Sequence, residues 1–277
     1  MPVLIPVLIL GAAALLCAVL LTLASVFFAV PTDERAGAIR DCLPGANCGA
    51  CGYSGCDGYA AALASGEAEK TNLCVPGGDK TAQEIASILG VEAEDVKEQV
   101  AYVACNGSCG LPQDRKYRYE GITTCKGANM AFAGDEPCTY ACLGYGDCVR
   151  VCPQNAICIE NGVAHIDARR CVGCGICART CPNRIIRLVD DTTRVVVKCS
   201  NHDKGAVAMK ACANSCIGCG KCTKICPEGA ITVENNLAVI DYGKCVGCGL
   251  CRTVCPRHCI HEGNFICGAH FVEPGKA

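Results

Sequence analysis

The chain has 277 residues, of which 30 are cysteine and only 5% are aromatic, so several small modules organised by cysteine chemistry are expected rather than one large domain with an aromatic core. A formal net charge of −2, without any block of lysine or arginine, argues against a nucleic-acid partner. No sequence motif for a dinucleotide or a nucleoside triphosphate occurs, so a redox function is expected to use metal alone.

The first predicted element is a membrane-spanning helix within residues 1–30. No charged side chain occurs from Met1 to Val30, and the apolar run exceeds the roughly 20 residues that a helix needs to cross a bilayer. Arg35 and Arg40 follow the run, and this charge bias places the rest of the chain in the cytoplasm. A cleaved signal peptide is the alternative, but no basic segment precedes the run. We therefore expect a single-pass protein of the cytoplasmic (inner) membrane.

A cysteine motif follows between Asn47 and Cys74. Glycines between its thiols allow backbone N–H groups to approach the sulfur atoms. Four thiolates are enough for one [4Fe–4S] cluster. The predicted ligands of this cluster are Cys48, Cys51, Cys56 and Cys74.

Two helices are expected to pack around this motif. The first carries Tyr59 and Leu63 on one face. The second begins with a capping box at Thr81 and is expected to run to about Val103, with a break near Gly90. Both helices are expected to be structural.

Three later segments have the form C-x2-C-x2-C-x3-C-P, which is the run of bacterial two-cluster ferredoxins. Structural zinc is the alternative, but zinc has no use for a third and a fourth thiolate at this spacing. Disulfides are disfavoured because neighbouring cysteines of a run are poorly placed to pair and the cytoplasm is reducing. The three runs are Cys171, Cys174, Cys177 and Cys181; Cys216, Cys219, Cys222 and Cys226; and Cys245, Cys248, Cys251 and Cys255.

An internal repeat organises these runs. A shift of 74 residues, which carries Cys125 onto Cys199, superposes nine cysteines of the chain. The same shift superposes two predicted hairpins, over 157–167 and 231–241, whose Asn and Gly turn residues tolerate positive φ. Each repeat is therefore predicted to be one ferredoxin module in which a hairpin joins two cysteine runs.

In such modules the fourth cysteine of each run ligates the neighbouring cluster. This cross-ligation rule assigns three complete ligand sets. They are Cys216, Cys219, Cys222 and Cys255; Cys245, Cys248, Cys251 and Cys226; and Cys171, Cys174, Cys177 and Cys152.

The remaining site of the first module departs from the pattern, because Tyr145 stands where the second repeat has Cys219. Cys138 is the nearest candidate for the missing ligand. The other predicted ligands of this site are Cys142, Cys148 and Cys181.

Ten cysteines outside the apolar segment are left over if Cys138 is counted among them. They are either buried free thiols or, in part, ligands of a sixth cluster formed by Cys105 or Cys109 together with Cys125, Cys199 and Cys212. The sequence leaves both alternatives open. The full set is Cys42, Cys105, Cys109, Cys125, Cys138, Cys158, Cys199, Cys212, Cys259 and Cys267.

Two further groups of side chains can have either a structural or surface role or a functional one. The five histidines show no metal-ligand spacing beyond His258 and His261 around Cys259, and all are expected in surface or capping roles. Arginines of the first module form either a solvated face or a surface that steers an acidic ferredoxin. These arginines are Arg169, Arg170, Arg179, Arg184, Arg187 and Arg194.

One membrane helix, the stretch from Leu43 to Tyr53 and the paired ferredoxin modules together resemble the B subunit of the Rnf complex, the ion-translocating ferredoxin:NAD+ oxidoreductase. The resemblance implies that the chain accepts electrons from soluble reduced ferredoxin and passes them to other membrane subunits that hold flavins and further clusters. It also implies that the motif from Cys48 to Cys74 holds the N-terminal cluster. The alternative is a polyferredoxin subunit of another membrane redox complex, such as a hydrogenase-linked assembly, which would not need that motif.

The expected fold class is α+β, with at least five [4Fe–4S] clusters and a sixth if the leftover cysteines bind one. The predicted organisation is a transmembrane helix at 1–30, a small helical [4Fe–4S] domain at 36–103, and two tandem bacterial-type ferredoxin modules at 104–198 and 199–277.

Overall fold

The computed structural model describes residues 4–27, 33–107 and 115–263. These residues form helices and short antiparallel strands, as the predicted α+β class requires. The described strands make four separate two-stranded sheets. Buried residues form one cluster in the N-terminal unit and one in each repeat, and a further cluster joins strands β1 (Gln99–Val103) and β4 (Ile186–Asp190) of the first repeat to Val196 of the second.

The N-terminal helix α1 covers Leu4–Phe27. The predicted membrane span at 1–30 falls in part outside the described residues, which also exclude the side chains at 4–8, 10 and 24–27. Within the part of the chain that is described, no helix combines the length and the apolarity that crossing a bilayer requires.

Three helices and a short 3-10 turn make up the N-terminal unit. The helix α3 buries Tyr59 and Leu63 against α2, which confirms the face predicted for it. The elements are α2 (Glu34–Cys42), α3 (Gly55–Ser65), the turn Val75–Gly77 and α4 (Gly78–Leu89).

The helix predicted from Thr81 to about Val103 differs from the structure at both of its ends, whereas the break predicted near Gly90 is confirmed. Helix α4 begins three residues earlier than the predicted capping box, and the hydroxyl of Thr81 donates instead to the backbone oxygen of Cys42, at 3.3 Å. The helix ends at Gly90, whose φ of +71° is left-handed. The segment Gln99–Val103 then forms strand β1, because its apolar residues are buried by pairing with a strand far along the chain.

The first repeat contains three short helices and three strands, and β1 joins them. Strands β2 and β3 form the predicted hairpin, with Asn161 and Gly162 at positive φ in its turn. Strand β1 pairs antiparallel with β4, with Gln99 opposite Asp190. The elements are α5 (Cys125–Met130), α6 (Asp147–Arg150), β2 (Ile157–Glu160), β3 (Val163–Ile166), α7 (Ile176–Thr180) and β4 (Ile186–Asp190).

The second repeat follows the same plan. Strands β6 and β7 form the second predicted hairpin, with Asn235 and Asn236 at positive φ. Strand β5 pairs antiparallel with β8, as β1 does with β4. The elements are β5 (Val195–Val197), α8 (Gly205–Ala211), α9 (Lys221–Ile225), β6 (Ile231–Glu234), β7 (Leu237–Ile240), α10 (Leu250–Thr253) and β8 (Ile260–Glu262).

Each ferredoxin module is therefore closed by a strand that precedes its predicted start. Strand β1 lies before residue 104 and β5 lies before residue 199. The pairing favours module starts near Gln99 and Val195. The two modules also touch directly, since the Ser200 hydroxyl donates to the backbone oxygen of Ala104 at 3.0 Å.

Candidate cluster-binding sites

The N-terminal unit surrounds an open cavity with about 300 Å³ of empty space. All four cysteines of the predicted ligand set line this cavity: Cys48, Cys51, Cys56 and Cys74. Their other neighbours are mostly apolar, such as Leu43 and Pro76. The structure thus brings together thiols that are up to 26 residues apart in the chain.

Backbone geometry around Asn47 holds this loop in place. Its side-chain Oδ1 accepts a hydrogen bond from the backbone N–H of Cys56, at 2.9 Å. Gly55 makes the close approach possible, because its φ is +90° and a Cβ there would lie 2.9 Å from the same oxygen. Below the loop, the hydroxyl of Tyr59 donates to the backbone oxygen of Lys70 at 2.7 Å, which ties α3 to the segment that carries Cys74.

The first ferredoxin module gathers a second predicted set around α7. Burial raises the pKa of the Cys177 thiol to about 12, with further contributions from the nearby thiols of the same set. Backbone N–H groups point at two of its sulfur atoms: Ala101 donates to Cys171 at 3.4 Å, and Ala156 donates to Cys152 at 3.3 Å. The thiols brought together here are Cys152, Cys171, Cys174 and Cys177.

The N-terminal site lies against this second site. Burial raises the pKa of the Cys174 thiol, and the nearby Cys48 is the thiol that adds most to the increase. The guanidinium of Arg179, on α7, also donates a hydrogen bond to the backbone oxygen of Cys48. Cysteines of two different motifs therefore face each other across the contact between the N-terminal unit and the first ferredoxin module.

The second module contains two thiol-lined cavities, which match the sets given by the cross-ligation rule. One has about 370 Å³ of empty space and is lined by Cys226, Cys245, Cys248 and Cys251. The other has about 330 Å³ and is lined by Cys216, Cys219, Cys222 and Cys255. In both cavities the remaining lining is dominated by apolar side chains and by the proline that ends a run.

A fifth cysteine, Cys259, belongs to the second of these cavities, and the spacing of the runs leaves it unassigned. It is 1% exposed, and its sulfur lies 3.5 Å from the sulfur of Cys255. A hydrogen bond with Cys259 lowers the pKa of Cys255 to about 5 and that of Cys216 to about 6. The pKa of Cys259 is raised in return by the same hydrogen bonds.

The incomplete site of the first module is also a cavity, with about 350 Å³ of empty space. The described thiols that line it are those of Cys125, Cys142, Cys148 and Cys181. Cys138, the replacement ligand predicted from the sequence, lies elsewhere, where the side-chain amide of Asn201 donates to its sulfur at 3.3 Å. The sequence signal that could have led to Cys125 is the absence of a cysteine at position 145, which requires a thiol from outside the run.

Two of the other leftover cysteines share a neighbour, because Asn201 donates hydrogen bonds to the sulfur atoms of both Cys138 and Cys199. Cys199 is buried, and its sulfur accepts a hydrogen bond from the backbone N–H of Cys216 at 3.3 Å. Cys158 is exposed on β2. Cys109 and Cys267 lie outside the described residues.

Two expectations about charged residues change with the structure. His261 departs from the predicted surface role, because its Nε2 atom is buried without a hydrogen-bond partner among the described residues. Burial lowers the pKa of His261 to about 4. The arginines do not form one free face either, since Arg179 contacts Cys48 while Arg169 and Arg170 pair with Asp167.

The donor chemistry of these cavities suits iron–sulfur clusters. Each offers at least four thiols within a mainly apolar lining, and soft thiolates of this kind favour iron–sulfur clusters or zinc. Burial raises the pKa of Cys142 and Cys148 to about 12, so binding of a metal group must displace protons. Among the described residues, no group of His, Cys, Asp or Glu converges as for a single metal ion.

Three family models match the parts of the chain that carry these sites. Residues 43–76 match the family described as "Putative Fe-S cluster". Residues 170–231 and 215–259 each match a family described as "4Fe-4S dicluster domain".

Curated relatives cover most of the chain. The B subunit of the Na(+)-translocating ferredoxin:NAD(+) oxidoreductase complex of Acetobacterium woodii is 44% identical over 93% of this chain and 77% of that protein. The B subunit of the proton-translocating ferredoxin:NAD(+) oxidoreductase complex of Clostridium ljungdahlii is 44% identical over 77% of this chain and 75% of its own length. The B subunit of the ion-translocating oxidoreductase complex of Methanosarcina acetivorans is 36% identical over 82% of this chain and 85% of its length.

Proposed function

The chain belongs to the family of B subunits of the Rnf complex, the ion-translocating ferredoxin:NAD(+) oxidoreductase, and we propose that it carries electrons from reduced ferredoxin to other subunits of such a complex. The observation that carries the proposal is the hydrogen bond from Arg179, on α7, to the backbone oxygen of Cys48, which brings Cys48 close to Cys174. It joins the site of the N-terminal motif to a site of the ferredoxin type, and the chain thereby gains a path from one to the other.

The thiols of the cavities would hold [4Fe–4S] clusters, which take up and release one electron at a time. The residues of this chain position and tune them. Backbone N–H groups that point at sulfur, such as those of Ala101 and Ala156, raise the reduction potential at their sites. The apolar lining excludes water from the thiolates and favours a low potential.

The proposed ligands keep the sets given by the sequence for four of the five sites. At least five clusters follow from five thiol-lined groups. In the fifth site Tyr145 stands in place of a cysteine, so its ligand set needs a thiol from outside the run.

The apolar segment at 1–30 is proposed to anchor the chain in the cytoplasmic membrane. Helix α1 contains no charged residue, and its side chains at Leu15, Leu16 and Leu21 are more than half exposed, which suits a lipid or an apolar partner. Arg35 and Arg40 after the helix favour the cytoplasmic side for the cluster sites.

NAD+ reduction is assigned to partner subunits rather than to this chain. NAD+ accepts a hydride, whereas each cluster passes single electrons, so a flavin elsewhere must convert between the two. The sequence contains no dinucleotide-binding motif that would do so here.

The proposal is tested with the full-length chain in membranes purified without oxygen. Reduced ferredoxin is added, and loss of the visible cluster absorbance is followed. Fast bleaching that requires ferredoxin is expected, with the protein retained in the membrane pellet; the matched comparison is a chain without residues 1–30, expected in the supernatant with the same bleaching. Membranes whose absorbance ferredoxin leaves unchanged would overturn the electron-transfer role.

A further inference from the structure

The two repeats differ at one corner of one cavity. Gly144 and Gly146 flank Tyr145 at φ of +74° and +78°, and Gly218 and Gly220 flank Cys219 at +61° and +68°. The loop has therefore kept its backbone while losing its thiol. Only a side chain from another segment can complete the set of four.

Tyr145 does not line this cavity among the residues described. Its hydroxyl lies 3.4 Å from a carboxylate oxygen of Asp135, and its ring packs edge-on against Tyr119, with centroids 5.8 Å apart. The phenol thus points toward the segment before the ferredoxin run. The corner that Cys219 occupies in the second module is left to another group.

Cys125 is placed to fill that corner. It is 9% exposed and lines the cavity together with Cys142, Cys148 and Cys181. Its distance along the chain from the run explains why spacing alone did not identify it.

Two hydrogen bonds fix Cys125 in this position. The Thr124 hydroxyl accepts from the backbone N–H of Gly127 at 3.0 Å and caps the start of α5. The Asp147 carboxylate accepts from the backbone N–H of Lys126 at 3.0 Å. The residue after Cys125 is thereby tied to the residue before Cys148.

The counterpart of Cys125 in the second repeat supports the same placement. Cys199 accepts a hydrogen bond from the backbone N–H of Cys216, the first cysteine of its own run. Both repeats therefore place this cysteine beside its own run, although of the two only Cys125 lines a cavity described here. In the second repeat Cys219 is the predicted fourth ligand. In the first repeat Tyr145 stands at the equivalent position, so the place of the fourth ligand is open to Cys125.

The competing thiol, Cys138, is held away from the cavity. Its sulfur accepts from the side-chain amide of Asn201, a residue of the second repeat. Cys138 is not among the described residues that line the cavity.

We propose that Cys125, rather than Cys138, supplies the fourth thiolate of the cluster held by Cys142, Cys148 and Cys181. Ligation replaces the S–H bond of Cys125 by a sulfur–iron bond and releases one proton to solvent, without any change in oxidation state. This inference rests on the proposed function, because it presupposes that the cavity holds a cluster.

The experiment compares alanine variants with and without a restored cysteine at position 145. The full-length chain is prepared as Cys125→Ala, as Cys138→Ala, and as each of these combined with Tyr145→Cys. Iron and sulfide per chain are measured after anaerobic purification, together with the EPR spectrum of the reduced protein. Alanine is used because it cannot replace the thiolate.

Cys125→Ala is expected to lose between about one and about four iron atoms per chain, and one cluster signal should change or disappear. Adding Tyr145→Cys should restore both, because cysteine at 145 regains the ferredoxin-type ligand. The same addition should not change the iron content of Cys138→Ala.

Three results would overturn the assignment. They are full iron in Cys125→Ala, a loss that Tyr145→Cys does not reverse, and a loss in Cys138→Ala that Tyr145→Cys does reverse. Failure of the proposed function is distinguishable from these, since the unsubstituted chain would then itself lack cubane iron and sulfide.

Discussion

The guanidinium of Arg179 donates a hydrogen bond to the backbone oxygen of Cys48, and this bond joins two segments that are 131 residues apart. It closes the contact across which Cys48 and Cys174 face each other. An electron that reaches either site has the other as a neighbour, so this contact is the natural point at which to interrupt the path.

Arg179→Ala is expected to slow electron transfer between the N-terminal site and the first ferredoxin module. Because Arg179 is exposed, the lost bond weakens the contact by about 1 kcal/mol, or about fivefold in its equilibrium. Rapid-freeze EPR after mixing with reduced ferredoxin measures the delay between the cluster signals. Arg169→Ala, which removes only a local pair with Asp167, serves as the control. Equal delays in the two variants would show that the Arg179 hydrogen bond does not affect electron transfer between the two sites.

Cys251→Ser is expected to remove one cluster signal and to slow electron flow, while the chain stays in the membrane. Cys251 lines a cavity with three other thiols, and the anchor lies in a separate segment. Cys158→Ser is the matched control, because Cys158 is exposed on a strand. A full set of EPR signals in Cys251→Ser would contradict the cross-ligation scheme for this site.

The iron and sulfide content of the purified chain gives a direct count of its clusters. Five clusters correspond to about 20 iron atoms and as many sulfides per chain, and a sixth would raise this to about 24. Zinc should be absent. Anaerobic purification followed by iron, sulfide and zinc analysis provides the numbers, and a fully loaded chain with about 12 irons or fewer would defeat the assignment.

The isolated chain should be reduced by ferredoxin but should form no NADH. The reason is the mismatch between single-electron clusters and a hydride acceptor. The measurement mixes the anaerobic protein with reduced ferredoxin and NAD+, and follows cluster bleaching and NADH absorbance together. Steady NADH formation by this chain alone would reveal an active site that the sequence does not show.

The stability of the second module should fall as the pH is lowered below about 6.5, because of His261. Its pKa is lowered from 6.5 to about 4 in the fold, so the unfolded chain takes up the proton first. The contribution of neutral His261 to stability is therefore fully present above the pKa that His261 has in the unfolded chain, and it is lost as the pH falls. Since the ring is only partly buried, the loss between pH 6.5 and about 5.5 is at most about 1 kcal/mol.

Thermal loss of cluster absorbance at several pH values measures this effect. His261→Gln, which does not titrate, should show a smaller change with pH than the unsubstituted chain. His202→Gln, at an exposed histidine, should behave like the unsubstituted chain. Identical pH profiles for the chain and for His261→Gln would show that His261 contributes nothing.

Local spacing was enough to predict much of this molecule. The hairpins at Asn161 and Asn235 and the helix that carries Tyr59 follow from turn residues and periodicity over a few positions. The cavities of the second module bring together the cysteines that a ferredoxin run predicts, because each run repeats a known spacing.

Features that depend on distant contacts were missed. The segment of strand β1 was predicted to continue a helix. Its pairing with β4 involves residues 83 to 91 positions later, and its own sequence does not reveal that pairing. Thr81 was predicted as a helix cap, whereas the tertiary contact with Cys42 decides its role. The place of Cys125 could not be read from spacing, since α5 and α6 bring it to the run only in the folded module.

The pairing of β1 with β4 also sets an order of events while the chain is being made. Residues Gln99–Val103 leave the ribosome long before Ile186–Asp190 are synthesised. Strand β1 therefore has no pairing partner while the rest of the first module is being made. The N-terminal motif, in contrast, is complete by Cys74 and can be assembled first. Closure of the first ferredoxin module by β1 and β4 therefore has to wait until its last strand has emerged.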